Sequence, residues 1–498
     1  MKLSVLAGAI TDVELVGDDP EITGIAYDSR SAGPGTLFVA LRGQHTDGHA
    51  YISAARGQGT EAVVVEHGYA GDLKGIPHLV VADSRKAMAA LSAALYGNPS
   101  LQLTTFGVTG TNGKTSTTYM LDSIFKSLGD RTGIVGTLGA IVDGEEIPQV
   151  RTTPESPDLQ QLLRRMVDAS VTKVVMEVSS EGALAERTTG VAFDVGVFTN
   201  LTPDHLNNHG TMENYFGQKF RLFTEYPEAF PQKKFTAVVN RDDPYGQRIL
   251  ETLEAAGRPS ISFSLNPGAD ISAEVHQLTV TGTHLTLLVK GHDPVEVDLP
   301  MAGLFSVSNA LAAAGAAVAL GISPAEIKAG LEKLRAVPGR FEKIETGELG
   351  FQVVVDYAHS SDGLEHVLAS ARALNPQRLV CIFGCGGDRD RTKRPVMGKI
   401  AADLADVVVV TSDNPRSEDP KAIVEEIVAG IDGGRARPNL IVEVDRGVAI
   451  KQTITELAKP GDLIVIAGKG HEPYQILADR TIHFDDREQA REAIALCS

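Results

Sequence analysis

Along most of this chain the hydrophobic positions fall in short unbroken runs rather than in alternation. Such β-branched runs occupy 103–108, 174–178, 195–199, 237–239, 353–355, 379–383, 407–410 and 463–467, each followed by a small polar cluster and then a helical stretch. Strands covered by helices on both faces read this way, because neither face of their sheet meets water. The pattern predicts an α/β protein with mostly parallel sheets. Between 271 and 299 the pattern changes to alternation (Leu278, Val280 and Leu285, Leu287, Val289), which predicts an antiparallel hairpin attached to the central region. The first 98 residues, with strands expected at 62–65 and 79–81, read as a smaller α/β unit.

Two turn-rich joints, Asn98-Pro99-Ser100 and Val337-Pro338-Gly339-Arg340, divide the chain. At roughly 150 residues per domain, a chain of 498 residues is expected to hold three. The expected domains are 1–98, 99–337 and 338–498. No short-period repeat is present, which excludes a solenoid. The 43% hydrophobic and 22% charged content is that of a folded globular protein and argues against long disorder. A formal charge of −18 excludes nucleic-acid binding through a general basic surface. Anionic ligands must then be met by local devices. Three cysteines cannot staple a chain of this size and point to a reducing compartment. The apolar start at 3–10 soon meets Asp12 and Glu14, and the Ala-rich stretch 310–322 is shorter than the roughly 18–20 residues a spanning helix needs. A cytoplasmic protein without a membrane span is expected.

The polar clusters stand where open α/β sheets bind ligands, beyond the carboxyl ends of the strands. The first, Thr109-Gly110-Thr111-Asn112-Gly113-Lys114-Thr115-Ser116, follows a strand and opens a helix. Its glycines let backbone N–H groups approach phosphate oxygens; Lys114 reaches the terminal phosphates and the Thr115 hydroxyl sits on Mg²⁺. Val108 stands where the strict nucleotide-binding pattern has its first glycine, yet the strand–loop–helix context points to ATP. Glu177, ending its strand, and His205, after Asn200-Leu-Thr-Pro-Asp204, are candidate partners for a cation there. His205 reads equally well as a hydrogen-bonded structural side chain. Its four-residue spacing to His209 imitates a zinc helix but lacks a third ligand. Lys219, on an amphipathic stretch, reads by itself as an exposed lysine.

Asp413-Asn414-Pro415-Arg416 follows the 407–410 run, and an Arg there grips a carboxylate bidentately on a turn that Pro415 fixes. With the guanidinium groups of 386–391 at a neighbouring strand end, it points to an acidic small-molecule substrate. Ala467-Gly-Lys-Gly-His-Glu472 weakly imitates a second phosphate loop, and Cys381 and Cys385 read as buried thiols.

Taken together, these motifs resemble the Mur ligase family. The resemblance is carried by 107–116, Glu177-Val-Ser-Ser180, Thr199-Asn-Leu-Thr-Pro-Asp-His205, Val307-Ser-Asn309-Ala, Pro338-Gly-Arg-Phe-Glu342 and Asp356-Tyr-Ala-His359. Tyr27-Asp28-Ser29-Arg30 and Gln44-His45-Thr46-Asp47-Gly48 extend it to nearly the whole chain, and Asp413 to Arg416 resembles the signature of members that add meso-diaminopimelate to UDP-N-acetylmuramoyl-L-alanyl-D-glutamate. The resemblance implies three domains: a small N-terminal α/β domain for the UDP-substrate, a central P-loop domain for ATP, and a C-terminal Rossmann-like domain for the amino acid. It implies ATP-dependent amide ligation in peptidoglycan precursor synthesis, through an acyl phosphate that the amine attacks.

Residue by residue, the resemblance assigns Gly110, Thr111, Asn112, Gly113, Lys114, Thr115, Ser116, Asn309, Arg340 and Asp356 to ATP. Ser29, Gln44, His45, Thr46, Thr152, Thr153, Ser179 and Arg187 are assigned to the UDP-muramoyl-dipeptide. Arg389, Asp413, Asn414, Pro415, Arg416, Gly468 and Glu472 are assigned to diaminopimelate. Thr115, Glu177, His205 and Lys219 are assigned to the Mg²⁺ environment, with Lys219 carbamylated by CO₂ into an anion. Lys114, Lys219, His205 and Glu177 form the catalytic set. Small molecules are the implied partners of a monomeric enzyme whose domains close about hinges at 98–104 and 336–340. The competing readings are the same ligation with L-lysine or another diamine, and a nucleotide-binding relative without ligase activity.

Overall fold

The computed structural model describes residues 1–43, 46–204 and 206–497. Three sheets carry the architecture. The N-terminal one has five strands in the order Glu14–Val16, His78–Val81, Ala62–Glu66, Thr36–Val39, Gly24–Ala26, all parallel except the first pair.

The central sheet has eleven strands. Its parallel middle runs Ser260–Phe263, Thr236–Asn240, Val195–Phe198, Thr104–Thr109, Lys173–Glu177, Thr132–Gly136. All of these strands except Ser260–Phe263 are buried on both faces, as in a sheet covered by helices. Gly139–Val142 and Glu145–Ile147 extend one edge as an antiparallel meander. At the other edge the expected hairpin is a three-stranded meander, Ile271–Thr279, Gly282–Val289, Val295–Leu299. The alternation holds on the middle strand, where Leu285, Leu287 and Val289 are buried, but fails on the first, whose register shifts between Val275 and Gln277.

The C-terminal sheet has six strands in the order Glu342–Ile344, Gln352–Asp356, Asp462–Ala467, Arg378–Phe383, Val407–Val410, Leu440–Val442. Only its first edge pair is antiparallel. Cys381 and Cys385 are buried free thiols, as expected, and burial pushes both up to about 12. Among the described residues no helix is long and apolar enough to cross a membrane. Most of the Ala-rich stretch lies in the helix Leu304–Val318, inside the central core.

The helix Lys114–Ser127 is packed against that helix and against Pro324–Glu332, burying Met120, Leu121, Ile124 and Phe125. Ser323 and Glu326 form a reciprocal cap that starts the second neighbour. Its Gly330 lies so close to the first helix that an added Cβ would stand 2.3 Å from the Ile124 Cα. Gly330→Ala is therefore expected to cost about 1–3 kcal/mol by overpacking. A lower urea midpoint at unchanged m value would show it; an unchanged midpoint would mean that the helices move apart freely.

The units are tied by side chains. The Tyr27 hydroxyl donates to Asp158 at 2.6 Å, joining the first sheet to the central one. Asp362, in the first turn of the C-terminal helix Ser361–Ala373, accepts from Asn112 Nδ2 at 2.5 Å and Thr202 Oγ1 at 2.8 Å. The C-terminal unit thus rests on the Gly-rich loop itself.

Candidate active site

The Gly-rich loop follows the strand Thr104–Thr109 and opens the helix Lys114–Ser127. Gly110 has φ +148°, and a Cβ there would lie 1.9 Å from Thr199 Oγ1. Gly113, at φ +85°, caps the helix with no side-chain hydrogen bond, and a Cβ on it would meet Asn309 Oδ1 at 2.2 Å. Only glycine satisfies both the left-handed backbone and the close approach at these points. The loop is braced by the next strand end: Asn112 N donates to Asn200 Oδ1 at 2.8 Å and Thr199 Oγ1 to Asn112 O at 2.6 Å. An uncapped helix start of this kind presents N–H groups and positive partial charge to an anion.

Two lysines converge on one carbonyl. Lys114 Nζ donates to Gly110 O and Thr111 O, both at 2.9 Å, and Lys219 Nζ donates to Gly110 O at 2.7 Å. Lys219 is 2% exposed, which overturns its reading as a surface lysine. The helix Met212–Phe220 turns Tyr215, Phe216 and Lys219 inward together, and the ammonium sits 4.6 Å from the Tyr215 ring centroid. Burial first, and then the neighbouring Lys114 charge, hold Lys219 well below the ordinary lysine value. Burial likewise lowers Lys114.

Beside them Thr115 Oγ1 donates to Glu177 Oε1 at 2.9 Å. The Glu177 carboxylate also accepts from Thr137 N and Thr137 Oγ1, each at 3.0 Å. From the C-terminal unit Arg340 Nη2 donates to Thr115 Oγ1 at 3.1 Å, while the buried Arg340 Nε has no hydrogen-bond partner among the described residues. Asp356, two-sidedly held by Phe341 N at 2.7 Å and Ala358 N at 2.8 Å, completes the group; burial raises it and the Arg340 charge opposes that. Hydroxyl and carboxylate oxygens at Thr115 and Glu177 suit a hard divalent cation. Among the described residues no cluster of three or more His, Cys, Asp or Glu stands there. His205 lies outside the described residues.

A second group borders Glu177. Thr153 Oγ1 donates to Glu177 O at 2.9 Å and lies 3.1 Å from Ser179 Oγ; Thr152 Oγ1 lies 3.1 Å from Thr137 Oγ1. Arg187 reaches Thr153 O at 3.3 Å and Glu155 Oε1 at 3.0 Å. Four of the eight residues assigned to the UDP-muramoyl-dipeptide, Thr152, Thr153, Ser179 and Arg187, are thus one connected patch. Ser29 begins a short turn capped by Asp28 in the first unit, and Thr46 O accepts from Gly43 N. Gln44 and His45 lie outside the described residues.

The third group lies at C-terminal strand ends. Asn414 Nδ2 donates to Glu472 Oε2 at 2.8 Å, and Asn414 N to Asp413 Oδ1 at 2.6 Å. Gly468 is packed so near that a Cβ would stand 2.6 Å from Asp413 Oδ2. Arg416 has φ +53° and donates through Nη1 to Gly387 O at 2.8 Å and Asn414 O at 3.4 Å. Pro415 lies between them, over Gly387. Arg389 bonds only the adjacent Asp388 O among the hydrogen bonds of the described residues, at 3.0 Å, and is not drawn into this network.

Comparison with known proteins follows the same division. Residues 21–96 match the Mur ligase family, catalytic domain; 108–317 match the Mur ligase middle domain; 339–470 match the Mur ligase, glutamate ligase domain. A UDP-N-acetylmuramoyl-L-alanyl-D-glutamate–2,6-diaminopimelate ligase of Clostridium tetani is 43% identical over 478 residues, covering 95% of each chain. The chain belongs to the Mur ligase family. The identically named ligase of Gloeobacter violaceus is 45% identical over 480 residues, covering 96% of this chain and 94% of its own. A solved structure of a ligase of that name superposes with TM-score 0.66 at 33% identity over 95% of both chains. The resemblance read from the motifs is borne out, as is the three-part α/β class. Mur ligases are ATP-dependent ligases.

Two residues at this Mur ligase site were not legible in the sequence. Thr137 follows a strand, Thr132–Gly136, whose two glycines hide its apolar run. Lys469 reads as part of a phosphate-like turn, yet its side chain is fully buried and aimed at Asn414 and Glu472.

Proposed function

We propose that this chain catalyses ATP-dependent amide formation between UDP-N-acetylmuramoyl-L-alanyl-D-glutamate and meso-diaminopimelate. The observation that carries the amino-acid choice is Arg416. Its guanidinium hydrogen bonds go to neutral carbonyls, and it makes no ion pair among the described residues, with Asp388 sensing its charge only at longer range. A second carboxylate on the incoming amino acid is the natural partner for that fork. L-Lysine has none at that end.

The chemistry follows from placing anions among cations. A carboxylate is a poor electrophile until ATP phosphorylates it, and the resulting acyl phosphate is open to attack by an amine, with phosphate as leaving group. Lys114 and Arg340 face the position of the transferring phosphoryl group from two units, where they offset the developing charge. Mg²⁺, held through Thr115 and Glu177, supplies further neutralisation of phosphate oxygens when bound. Thr152, Thr153, Ser179 and Arg187 line the approach of the acceptor dipeptide, with Ser29 and the 44–46 turn on the uridine side. In this reading residues 1–98 hold the UDP-substrate, 99–337 hold ATP and 338–498 bring the amino acid. Closure about 98–104 and 336–340 brings them together.

Lys219 is the remaining device. Its ammonium first gives up a weakly held proton to solvent; the neutral amine then attacks the carbon of CO₂, the N–C bond forms as a C–O π bond opens, and a second proton leaves the nitrogen to solvent. The product is a carbamate anion beside Lys114. This converts two repelling ammonium groups into an ion pair.

Phosphate release tests the proposal. Purified protein with ATP, Mg²⁺ and UDP-N-acetylmuramoyl-L-alanyl-D-glutamate is expected to release phosphate only when meso-diaminopimelate is added. Nucleotide binding with no amine-dependent release would replace the ligase reading with a non-catalytic one.

A further inference from the structure

Resting on the reading of Asp413 to Arg416 and Glu472 as the amino-acid site, we infer that Lys469 is a positioning residue that sets Asn414 and Glu472 for that substrate. Its side chain is 0% exposed, and its ammonium lies 3.2 Å from Asn414 Oδ1 and 3.4 Å from Glu472 Oε2, with the Tyr474 ring centroid at 5.6 Å. Asn414 Oδ1 also accepts from Ile476 N at 3.0 Å, and Asn414 Nδ2 donates to Glu472 Oε2 at 2.8 Å. An amide can point either way; with a cation and an N–H both on one side, only the oxygen fits there. The NH₂ group is therefore driven toward Glu472. The same ammonium also donates to Glu472 Oε2, the oxygen that the NH₂ group reaches.

This arrangement is costly as a packing device. A buried ammonium whose nearest carboxylate is at 3.4 Å loses hydration that a methionine of similar length would not need to replace. Its gain lies in orientation. A second buried cation, Arg446, spans the same two strand ends through Ser412 O at 3.3 Å and Ala467 O at 2.9 Å, but it is matched by Asp486 at 2.7 Å. Lys469 alone of the two is directed at side chains of the amino-acid site.

Steady-state kinetics of Lys469→Met test the inference. The KM for meso-diaminopimelate is expected to rise by about tenfold or more, with KM for ATP and for the UDP-dipeptide unchanged and the melting temperature not lowered. In a Glu472→Gln background the same substitution is expected to add less than about threefold, because its main partner is already neutral. Equal losses in all three KM values, or full additivity of the two substitutions, would overturn the inference in favour of a general structural role. If Lys469→Met does not fold, Lys469→Gln gives the same comparison while keeping a donor. Should the unaltered enzyme show no diaminopimelate-dependent turnover, the functional reading itself fails; normal turnover with an unmoved KM in the variants strikes at Lys469 alone.

Discussion

Lys219→Ala is expected to lower the rate of amide ligation by about a thousandfold or more, because it removes the anion that the account places beside Lys114. The protein should not be less stable for it. In the absence of CO₂ the chain buries this ammonium against the Gly110 carbonyl at 2.7 Å, with Lys114 on the same oxygen, so deleting it there relieves repulsion. A melting temperature that holds or rises beside a collapsed rate would separate chemistry from folding. Lys219→Arg is the sharper variant, since it keeps a cation and cannot be carboxylated. It should be as inactive as the alanine.

The pH dependence follows from the same burial. Only the neutral amine takes up CO₂, and burial together with Lys114 moves the loss of its proton well below the ordinary lysine value. Carboxylation should therefore increase as pH rises through that lowered value and fade as pH drops below it. Native mass measurement of the protein in bicarbonate at stepped pH would follow the gain of one CO₂. Full ligation by Lys219→Arg would contradict the assignment.

Arg416→Ala is expected to raise the KM for meso-diaminopimelate by about a hundredfold or more, the usual consequence of leaving a recognised carboxylate without its charged partner. The KM for ATP should stay where it is, because Arg416 lies on the 413–416 turn and not on the phosphate loop. Arg416→Lys should recover little. An ammonium keeps the charge but lacks the planar fork that matches a carboxylate. Stability should barely change with alanine: the strained φ of +53° persists in both side chains, and only carbonyl hydrogen bonds are lost. An unmoved amino-acid KM would show that the second carboxylate is held elsewhere.

Local patterns carried much of this site. The eight apolar runs are parallel strands, and the Gly-rich loop could be read because its spacing and its strand–helix flanks are local features. What escaped depends on partners far along the chain. Lys219 looked exposed because a nine-residue amphipathic helix does not reveal that its inward face meets a carbonyl 109 residues earlier. Lys469 is decided by Asn414, 55 residues away. The third strand of the 271–299 meander, Val295–Leu299, is only five residues long and gave too short an alternation to stand out. Family resemblance supplied residue roles where periodicity could not, as for Lys219.

The proposed reaction joins diaminopimelate, in preference to lysine, to the glutamyl end of the nucleotide dipeptide. The most direct measurement offers both amines at equal concentration in one reaction with ATP and Mg²⁺ and identifies the UDP-linked product by mass. The diaminopimelate adduct is expected as the dominant product, with a matching yield of ADP and phosphate. A dominant lysine adduct would contradict the role given to Arg416, and ADP formation without any adduct would contradict amide ligation itself.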